Sequence, residues 1–580
     1  MNAMPRAILD GALINMHPEL ELIIRAARPK TTENDDRIHA LLSAGLKWDE
    51  VMACAHKHKL GPLLQERFGT LDANWLSPDQ NEKLVAMARD LARDNLMCMG
   101  DMLWLSGIFQ TAGIPAIPFK GPALAWLAYR SFADRTCVDL DFVLPQRYIP
   151  AAAALLQANG YLPQFDPAEA QAGPHGPAPG QYAFAPTGRR LFVELHTERT
   201  LRYFSRPIDL DAMFTRLLPL EIGGQSIRTF SVEDLLVMLC VHGAKHFWER
   251  LSWIVDIAQL ITAHDVDWMV LMSVAETLES TRFLLLGLSL AHTLFDAPLP
   301  PDVLERASNE KQVQWLAAKV IGQYEGHADP GAGVWSRAIF RMRSSDGVLQ
   351  GLRQLFRLSL TPTESDRQKI KLPAVLSPLY ILLRPLRLIG EYGLGLTRRP
   401  KLDLAVYDPT PEEIVNQMLG LAEISAGDVL YDLGCGDGRI VVAAAEKYDI
   451  RAVGVDINPK RIAEARAHAR KRGVQDRVEF HVADAKNTEV SEATVVMMYL
   501  ETDGIFRLVE RLRAQLRPGS RIVSRTFKIY GWEPDRSETY ALSDGTRTKL
   551  YRWNITEARS VSPVDEVPAA ESRQTLRVQR

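Results

Sequence analysis

Along the first 110 residues, apolar side chains recur at helical spacing, as in Leu41-Leu42-x-x-x-Leu46 and Leu84-x-x-x-Ala88-x-x-Leu91. A stripe of that period lies on one face of an α-helix, so residues 1–110 are predicted to be helical. From Ile114 the pattern shortens to β-like runs: Ile114 to Phe119, Val138 to Val143 and Leu191 to Leu195. The stretch from Pro163 to Pro186 is rich in Gly, Pro and Ala and is predicted to be a loop between two strands. Helical spacing returns from Val232 to about Tyr324, carried by Leu235, Leu236 and Leu239 and later by Leu284, Leu286 and Leu288. Residues 326–333 read as a loop. From Val429 onward strand and helix patterns alternate, which predicts a parallel sheet with crossover helices. After Ser560 the chain turns polar, as a frayed tail does.

These patterns divide the chain into a helical part at 1–110 and an α+β domain with a helical C-terminal part at 111–325. A helical linker at 326–400, a Rossmann-like α/β domain at 401–558 and a flexible tail at 559–580 follow. Within the linker, 369–399 interleaves Leu, Ile and Tyr with Arg384, Arg387, Arg398 and Arg399, and Pro373, Pro378 and Pro385 break it. Two readings stand for this segment: a basic amphipathic surface in weak contact with a membrane, or a short helix pair packing between domains.

Length agrees with several domains, since 580 residues exceed what one hydrophobic core covers. Hydrophobic residues make up 47% and charged residues 24%, as in ordinary globular proteins. A net charge of −3 gives no basic footprint for nucleic acid, so no nucleic-acid partner is expected. The N-terminus lacks the pattern of a secretory signal and no run of 18 apolar residues is free of charge or proline, so a cytoplasmic location is expected. Cys54, Cys98, Cys137, Cys240 and Cys435 form no CxxC pair and are expected as free thiols.

Candidate chemistry is densest where the alternation begins. The run Asp428 to Leu433 is apolar on both faces, as a central parallel strand is, and leads into Gly434-Cys-Gly-Asp-Gly438. Glycines at 434, 436 and 438 permit a tight turn on which a ligand can lie, with Asp437 inside it. Asp432, just before the turn, suits a cationic amino-acid group rather than a pyrophosphate. Asp456 ends the next strand 22 positions after Gly434 and can accept from both ribose hydroxyls. Asn458-Pro459 starts a helix that Gly473 closes. The strand Val478 to Val482 leads to Asp484, placed to accept from an adenine amino group. Together these residues predict a site for S-adenosylmethionine, against the alternative of a doubly wound fold without that ligand. Tyr499 and Glu501, after the fourth strand, Thr494 to Met498, are candidates for positioning the methyl acceptor; Tyr499 can equally serve only for packing. Upstream, Thr410-Pro411-Glu412-Glu413 predicts a capping box with Thr410 as N-cap. The basic run Arg466 to Arg472 closes a helix, where cations complement the dipole.

On Tyr407-Asp-Pro-Thr-Pro411, Tyr431-Asp-Leu-Gly-Cys-Gly-Asp-Gly-Arg439, Val496-Met-Met-Tyr-Leu500 and Gly531-Trp-Glu-Pro534, this part resembles class I methyltransferases. Within them it is most similar to the ATP-synthase c-subunit lysine methyltransferase family and its bacterial relatives. The resemblance implies a Rossmann-like fold, S-adenosylmethionine as cofactor and a helix after Thr410, with Ile414, Met418 and Leu421 on one apolar stripe, that either lids the cofactor or simply packs in the core; it leaves the acceptor open between a protein lysine and a small molecule.

Further upstream, Lys120-Gly121 precedes Asp139-Leu-Asp141, and Glu194 follows in Phe192-Val-Glu-Leu195. Acids two apart on a strand share one face. With Glu194 on a neighbouring strand they form a candidate site for Mg²⁺, while Lys120 and the Gly121 backbone can hold phosphates. This region resembles the uncharacterised nucleotidyltransferase family of the polymerase-β superfamily, over roughly 30–325. The matching pieces are Phe119-Lys-Gly121, Arg135, Asp139-Leu-Asp141, Val193-Glu-Leu-His196 and the helical part with His242, His246, Trp253 and Asp256. The resemblance implies an NTP donor and catalysis by Asp139, Asp141 and Glu194. Lys120-Gly121 stands where the superfamily commonly has Gly-Ser, which leaves the donor nucleotide open, and a catalytically idle recognition module is the alternative. His242 and His246, four apart with Glu249 beyond, read as packing residues rather than a metal pair.

Overall fold

The computed structural model describes residues 16–69, 75–137, 139–163, 165, 180–186, 191–198, 208–325, 334–347, 349–353, 383–384, 410–500, 502–529, 532, 534–541 and 547–556. It divides into two compact units, one dominated by Met1–Lys401, the other by Leu402–Leu542 with Arg547–Arg580. The expected loop at 326–333 and tail at 559–580 lie outside the described residues, as does 369–399 apart from 383–384. No helix among the described residues is long and apolar enough to cross a membrane.

The first unit opens with the helices Pro18–Ala26, Thr32–Ser43, Trp48–His58 and Gly61–Gly69 and the long helix Pro78–Thr111. The last starts at a capping box in which Ser77 and Gln80 satisfy each other's backbone N–H. A five-stranded sheet follows, in the order β1 (Ile117–Pro118), β2 (Asp139–Val143), β5 (Phe192–His196), β4 (Gln181–Pro186), β3 (Tyr161–Pro163). Strands β2 and β5 run parallel at its centre, and the other pairs are antiparallel. Leu140, Phe142, Val193, Leu195, Tyr182 and Phe184 fill its covered face. A hairpin of β6 (Leu218–Ile222) and β7 (Gln225–Thr229) leads to helices from Val232–Lys245 to Lys311–Tyr324, which share the same core.

Three expectations are corrected here. The strand expected at 114–119 shrinks to Ile117–Pro118, because Pro115 and Pro118 donate no ladder hydrogen bond. The loop expected to reach Pro186 ends earlier, since Tyr182 and Phe184 bury alternately and make 181–186 a strand. The cysteines are not all free: Cys98 and Cys137 are joined as a disulfide, their Cα atoms 6.6 Å apart. Buried Asn95 explains their approach, for its side chain accepts from the Cys137 N–H and donates to the Phe132 and Arg135 carbonyls.

The second unit is a seven-stranded sheet in the order β10 (Val478–Val482), β9 (Arg451–Asp456), β8 (Val429–Leu433), β11 (Val495–Met498), β12 (Arg521–Arg525), β14 (Arg547–Asn554), β13 (Arg536–Ala541). The first five are parallel, and an antiparallel hairpin closes the edge. Helices Glu412–Leu421, Arg439–Tyr448 and Pro459–Arg472 share an apolar layer with the sheet on one face. The other face is packed by Val490, Leu508, Leu512 and Leu516. Strand order reverses at β8, which has β9 on one side and β11 on the other, so a crevice opens at the carboxyl ends of these strands.

Candidate functional site

The crevice of the second unit is lined from β8 outward. Asp432 lies beside Gly454 of β9 and Met497 of β11 in parallel register and is buried. Among the described residues no cation pairs with it. Burial, then the charges of Asp456 and Asp437, push its carboxyl up to about 8. A buried acid with only negative neighbours favours a cation brought by a ligand.

The glycine turn folds back over β9. The N–H groups of Gly434 and Cys435 both donate to the Val455 carbonyl, at 2.8 and 3.0 Å. Gly438 has φ +76°, and a Cβ there would stand 2.7 Å from the Ala465 Cβ and 2.8 Å from the Phe480 ring. Only glycine lets the turn meet the next helix so closely. The Asp456 carboxylate accepts from the N–H of Gly436 at 3.0 Å and of Asn458 at 2.7 Å, leaving lone pairs for further donors. Asp484 caps a short 3₁₀ turn by accepting from the Lys486 N–H at 3.0 Å. Asn458 caps the helix Pro459–Arg472, which Gly473 closes in the left-handed region, with Arg470, Lys471 and Arg472 in its last turn.

Asp437 turns away from Asp432 and takes a two-pronged bond from Arg439, at 2.9 and 2.6 Å. Burial would raise its carboxyl, but Arg439 outweighs that and holds it below the usual range. Arg439 also donates to the Thr410 carbonyl at 2.8 Å. Thr410 is not the N-cap that its sequence suggests; the helix begins one residue later, with Pro411 at the cap and no side-chain capping bond. The Thr410 hydroxyl instead accepts from Arg525 at 3.3 Å. The Arg525 guanidinium lies 4.2 Å from the centre of the Tyr499 ring, and Phe527 also stacks on that ring, centres 6.0 Å apart. Thr526, between the two, has φ +66°, a costly conformation for a β-branched residue. Sequence reasoning misses Thr410 in this role and Arg525, which carries no motif. Glu501 lies outside the described residues.

In the first unit, β2 and β5 bring the other acids together. Parallel register pairs Asp141 with Glu194, and Asp139 with Phe192. Asp139, Asp141, Glu194 and His196 therefore share a face. The donor atoms of Asp141, Glu194 and His196 lie within 4.8 Å of one another. Asp139 is not part of this group. Convergence of three donors fits a divalent cation; the third donor, however, is the His196 nitrogen, which the sequence pattern does not single out as a ligand.

The charges here are already matched. His196 Nε2 is 2.6 Å from Asp141 and 3.5 Å from Glu194, and the Lys120 ammonium is 3.9 Å from the other Asp141 oxygen. Burial would raise the Asp141 carboxyl, but Lys120 and His196 hold it far below the usual range. Burial and the Asp141 charge push Asp139 up. Gln181 donates to Glu194 at 2.6 Å. Lys120 also reaches His242 Nδ1 at 3.2 Å, and burial followed by the Lys120 charge keeps that imidazole neutral. A cavity of about 200 Å³ opens onto Lys120, Gly121, Asp139, Asp141, His242 and His246. Gly121 begins the helix Gly121–Tyr129 at φ +55°, so a helix N-terminus also faces this space. At the cavity wall Arg135 holds buried Asp256 by two bonds, at 2.9 and 3.0 Å, and Tyr129 donates a third at 2.8 Å.

The parallel order of the second unit, with a glycine turn and a buried acid at the β8 switch point, is that of a Rossmann-like α/β domain. Residues 432–536 match the ANTKMT methyltransferase domain, and residues 44–296 match an uncharacterised nucleotidyltransferase family. A protein-lysine N-methyltransferase from Saccharolobus islandicus is 45% identical over 140 residues, 24% of this chain and 86% of that protein. The adenine nucleotide translocase lysine N-methyltransferase of Mus musculus is 33% identical over 138 residues, 24% of this chain and 60% of that protein. Among solved structures, an RNA methyltransferase from Salinibacter ruber in complex with S-adenosyl-L-homocysteine shares 42% identity, over 27% of this chain and 98% of that one, with a TM-score of 0.25. Through its second unit the chain belongs to the ANTKMT methyltransferase family and is an S-adenosylmethionine-dependent methyltransferase. Its first unit is nucleotidyltransferase-like.

Proposed function

We propose that the second unit transfers a methyl group to the ε-amino group of a lysine in a protein. One observation carries the cofactor side of this reading: Asp432 is a buried acid that pairs with no cation among the described residues, beside a glycine turn. In this reading Asp432 takes the ammonium of S-adenosylmethionine, and the backbone of Gly434, Gly436 and Gly438 leaves room for its amino-acid part. Asp456 receives the ribose hydroxyls and Asp484 the adenine amino group, while Asp437 braces the turn through Arg439. The cofactor supplies an activated methyl group on a sulfonium. The chain contributes alignment and exclusion of water, since in-line displacement needs little else. Tyr499 and Glu501 position the acceptor amine. The lysine acceptor draws support from the likeness to the Saccharolobus islandicus protein-lysine N-methyltransferase over most of that protein's length. The test is cell extract incubated with the full chain and labelled S-adenosylmethionine, followed by mass spectrometry. Label on protein lysines is expected; label only on a small molecule, or none, overturns the acceptor.

For the first unit the proposal is nucleotidyl transfer dependent on a divalent cation, Mg²⁺ by the resemblance, with Asp139, Asp141 and Glu194 as its acids and Lys120 and Gly121 toward the triphosphate of an NTP. The facing of Lys120, Gly121, Asp139 and Asp141 onto one cavity supports it. The internal pairing of Asp141 with Lys120 and His196 favours the second reading, an idle recognition module. Incubation with labelled NTPs and Mg²⁺ decides between them: incorporation lost in Asp139→Asn and Asp141→Asn is expected, and equal labelling of all three proteins rejects catalysis by these acids.

A further inference from the structure

We propose that His196 is a metal ligand, and that with Asp141 and Glu194 it makes the first unit's site one for a first-row divalent transition ion rather than for Mg²⁺. The proposal deepens the cation-dependent reading of this unit and rests on it for the ion's use, though not for its binding.

Parallel register sets Asp141 directly beside Glu194, and His196 follows two residues on along the same face. His196 Nε2 stands 2.6 Å from Asp141 Oδ1 and 3.5 Å from Glu194 Oε2. Donor atoms that share one ion at about 2.1 Å lie roughly 3 to 3.5 Å apart, so the trio needs only small side-chain rotations to close on one. Of the two Asp141 oxygens, Oδ1 faces His196 and Oδ2 faces Lys120. The lysine therefore keeps its side of the carboxylate while the opposite side is turned to the ion. Asp141 also lines the cavity, which leaves a direction from which a further ligand can reach the ion.

All three donors are held in place by their surroundings. Asp141 and His196 are buried, Gln181 holds Glu194 at 2.6 Å, and the Phe119 ring meets the imidazole edge-on with centres 5.5 Å apart. Preorganised ligands of this kind set ion preference by their chemistry. Mg²⁺ prefers oxygen and water, whereas an imidazole nitrogen beside carboxylates suits Mn²⁺, Fe²⁺, Co²⁺ or Zn²⁺. Asp139, whose register partner is Phe192, lies outside the trio and stays free to face the substrate.

The test uses Mn²⁺ alone as probe, added to the full chain, with pulsed electron paramagnetic resonance as readout. The expected result is one tightly bound Mn²⁺ showing modulation from a directly bound ¹⁴N, which becomes ¹⁵N modulation in protein labelled with ¹⁵N-histidine. Mg²⁺ should displace it only in large excess. In His196→Asn the ¹⁴N signal should vanish and Mn²⁺ affinity fall at least about tenfold, while His246→Asn keeps both. Bound Mn²⁺ without a nitrogen signal in the wild-type chain, equal competition by Mg²⁺, or no bound Mn²⁺ overturns the proposal. The wild-type measurement needs no variant to fold. Nucleotide labelling is scored separately: labelling without the nitrogen signal sinks this inference alone, and the signal without labelling sinks only nucleotidyl transfer.

Discussion

The second unit gathers acids at successive strand ends and the first on one face of two paired strands, yet they treat the charge in opposite ways. In the second unit Asp432, Asp456 and Asp484 come from three successive strand ends, and the innermost pairs with no cation among the described residues, so burial and the charges of Asp456 and Asp437 push it up to about 8. In the first unit Asp141 meets Lys120 on one oxygen and His196 on the other. An uncompensated acid waits for a cation that a ligand brings; a compensated one gives up a hydrogen bond before an outside ion can enter. The difference explains why a glycine turn beside lone acids reads so directly as a cofactor site, whereas an equally acidic strand pair leaves its cofactor to be tested.

The contrast can be broken at several points, the largest first. In the first unit Asp256 is buried and takes bonds from Arg135 and Tyr129; Asp256→Ala strands the guanidinium and is expected to cost about 3–5 kcal/mol, read by urea unfolding. A loss under 1 kcal/mol would mean that this unit does not depend on matched charge. In the second unit Gly438→Ala brings a methyl against Ala465 and Phe480 and is expected to cost about 2–4 kcal/mol, combining left-handed strain with overpacking. Gly473→Ala, also left-handed but with nothing within 4 Å, should cost only about 1 kcal/mol. Equal losses would show that close approach at the turn is unimportant.

Asp432→Asn should weaken S-adenosylmethionine binding about 100-fold in calorimetry while stabilising the ligand-free unit at pH 8. The sign follows from the raised carboxyl. The folded chain keeps a proton between about pH 4 and 8 that the unfolded chain has lost, so wild-type stability falls as pH rises across that window. A variant that binds as tightly as wild type removes Asp432 from the site. The smallest effect is the release of about one proton when the wild-type chain binds the cofactor at pH 7, read from calorimetry in buffers of different ionisation enthalpy. Zero release would mean that Asp432 is already ionised, and the opposition between the two units would disappear.

Much of this architecture is written in local patterns. The buried runs of β8, β9 and β10, the Asn458-Pro459 start and the Gly473 stop all act over a few residues, and each is legible in the sequence. What is not legible depends on partners far along the chain. Thr410 looks like a cap, but two arginines from 29 and 115 residues away claim it. His196 looks incidental until parallel pairing sets it beside Asp141, 55 residues earlier. The strand at 181–186 hides in a composition typical of loops, because its two aromatic residues report burial only against a neighbouring strand. Cys98 and Cys137 likewise meet only through Asn95.

Thr410 carries a consequence of its own. Its carbonyl belongs to the guanidinium that steadies the glycine turn, and its hydroxyl to the one that covers Tyr499. A single residue just before the helix Glu412–Leu421 thus serves as a shared hinge-pin for the arginine that braces the glycine turn and the arginine over Tyr499. Neither arginine can be loosened there without slackening the other, so any change that frees this residue reaches the glycine turn and the Tyr499 ring together.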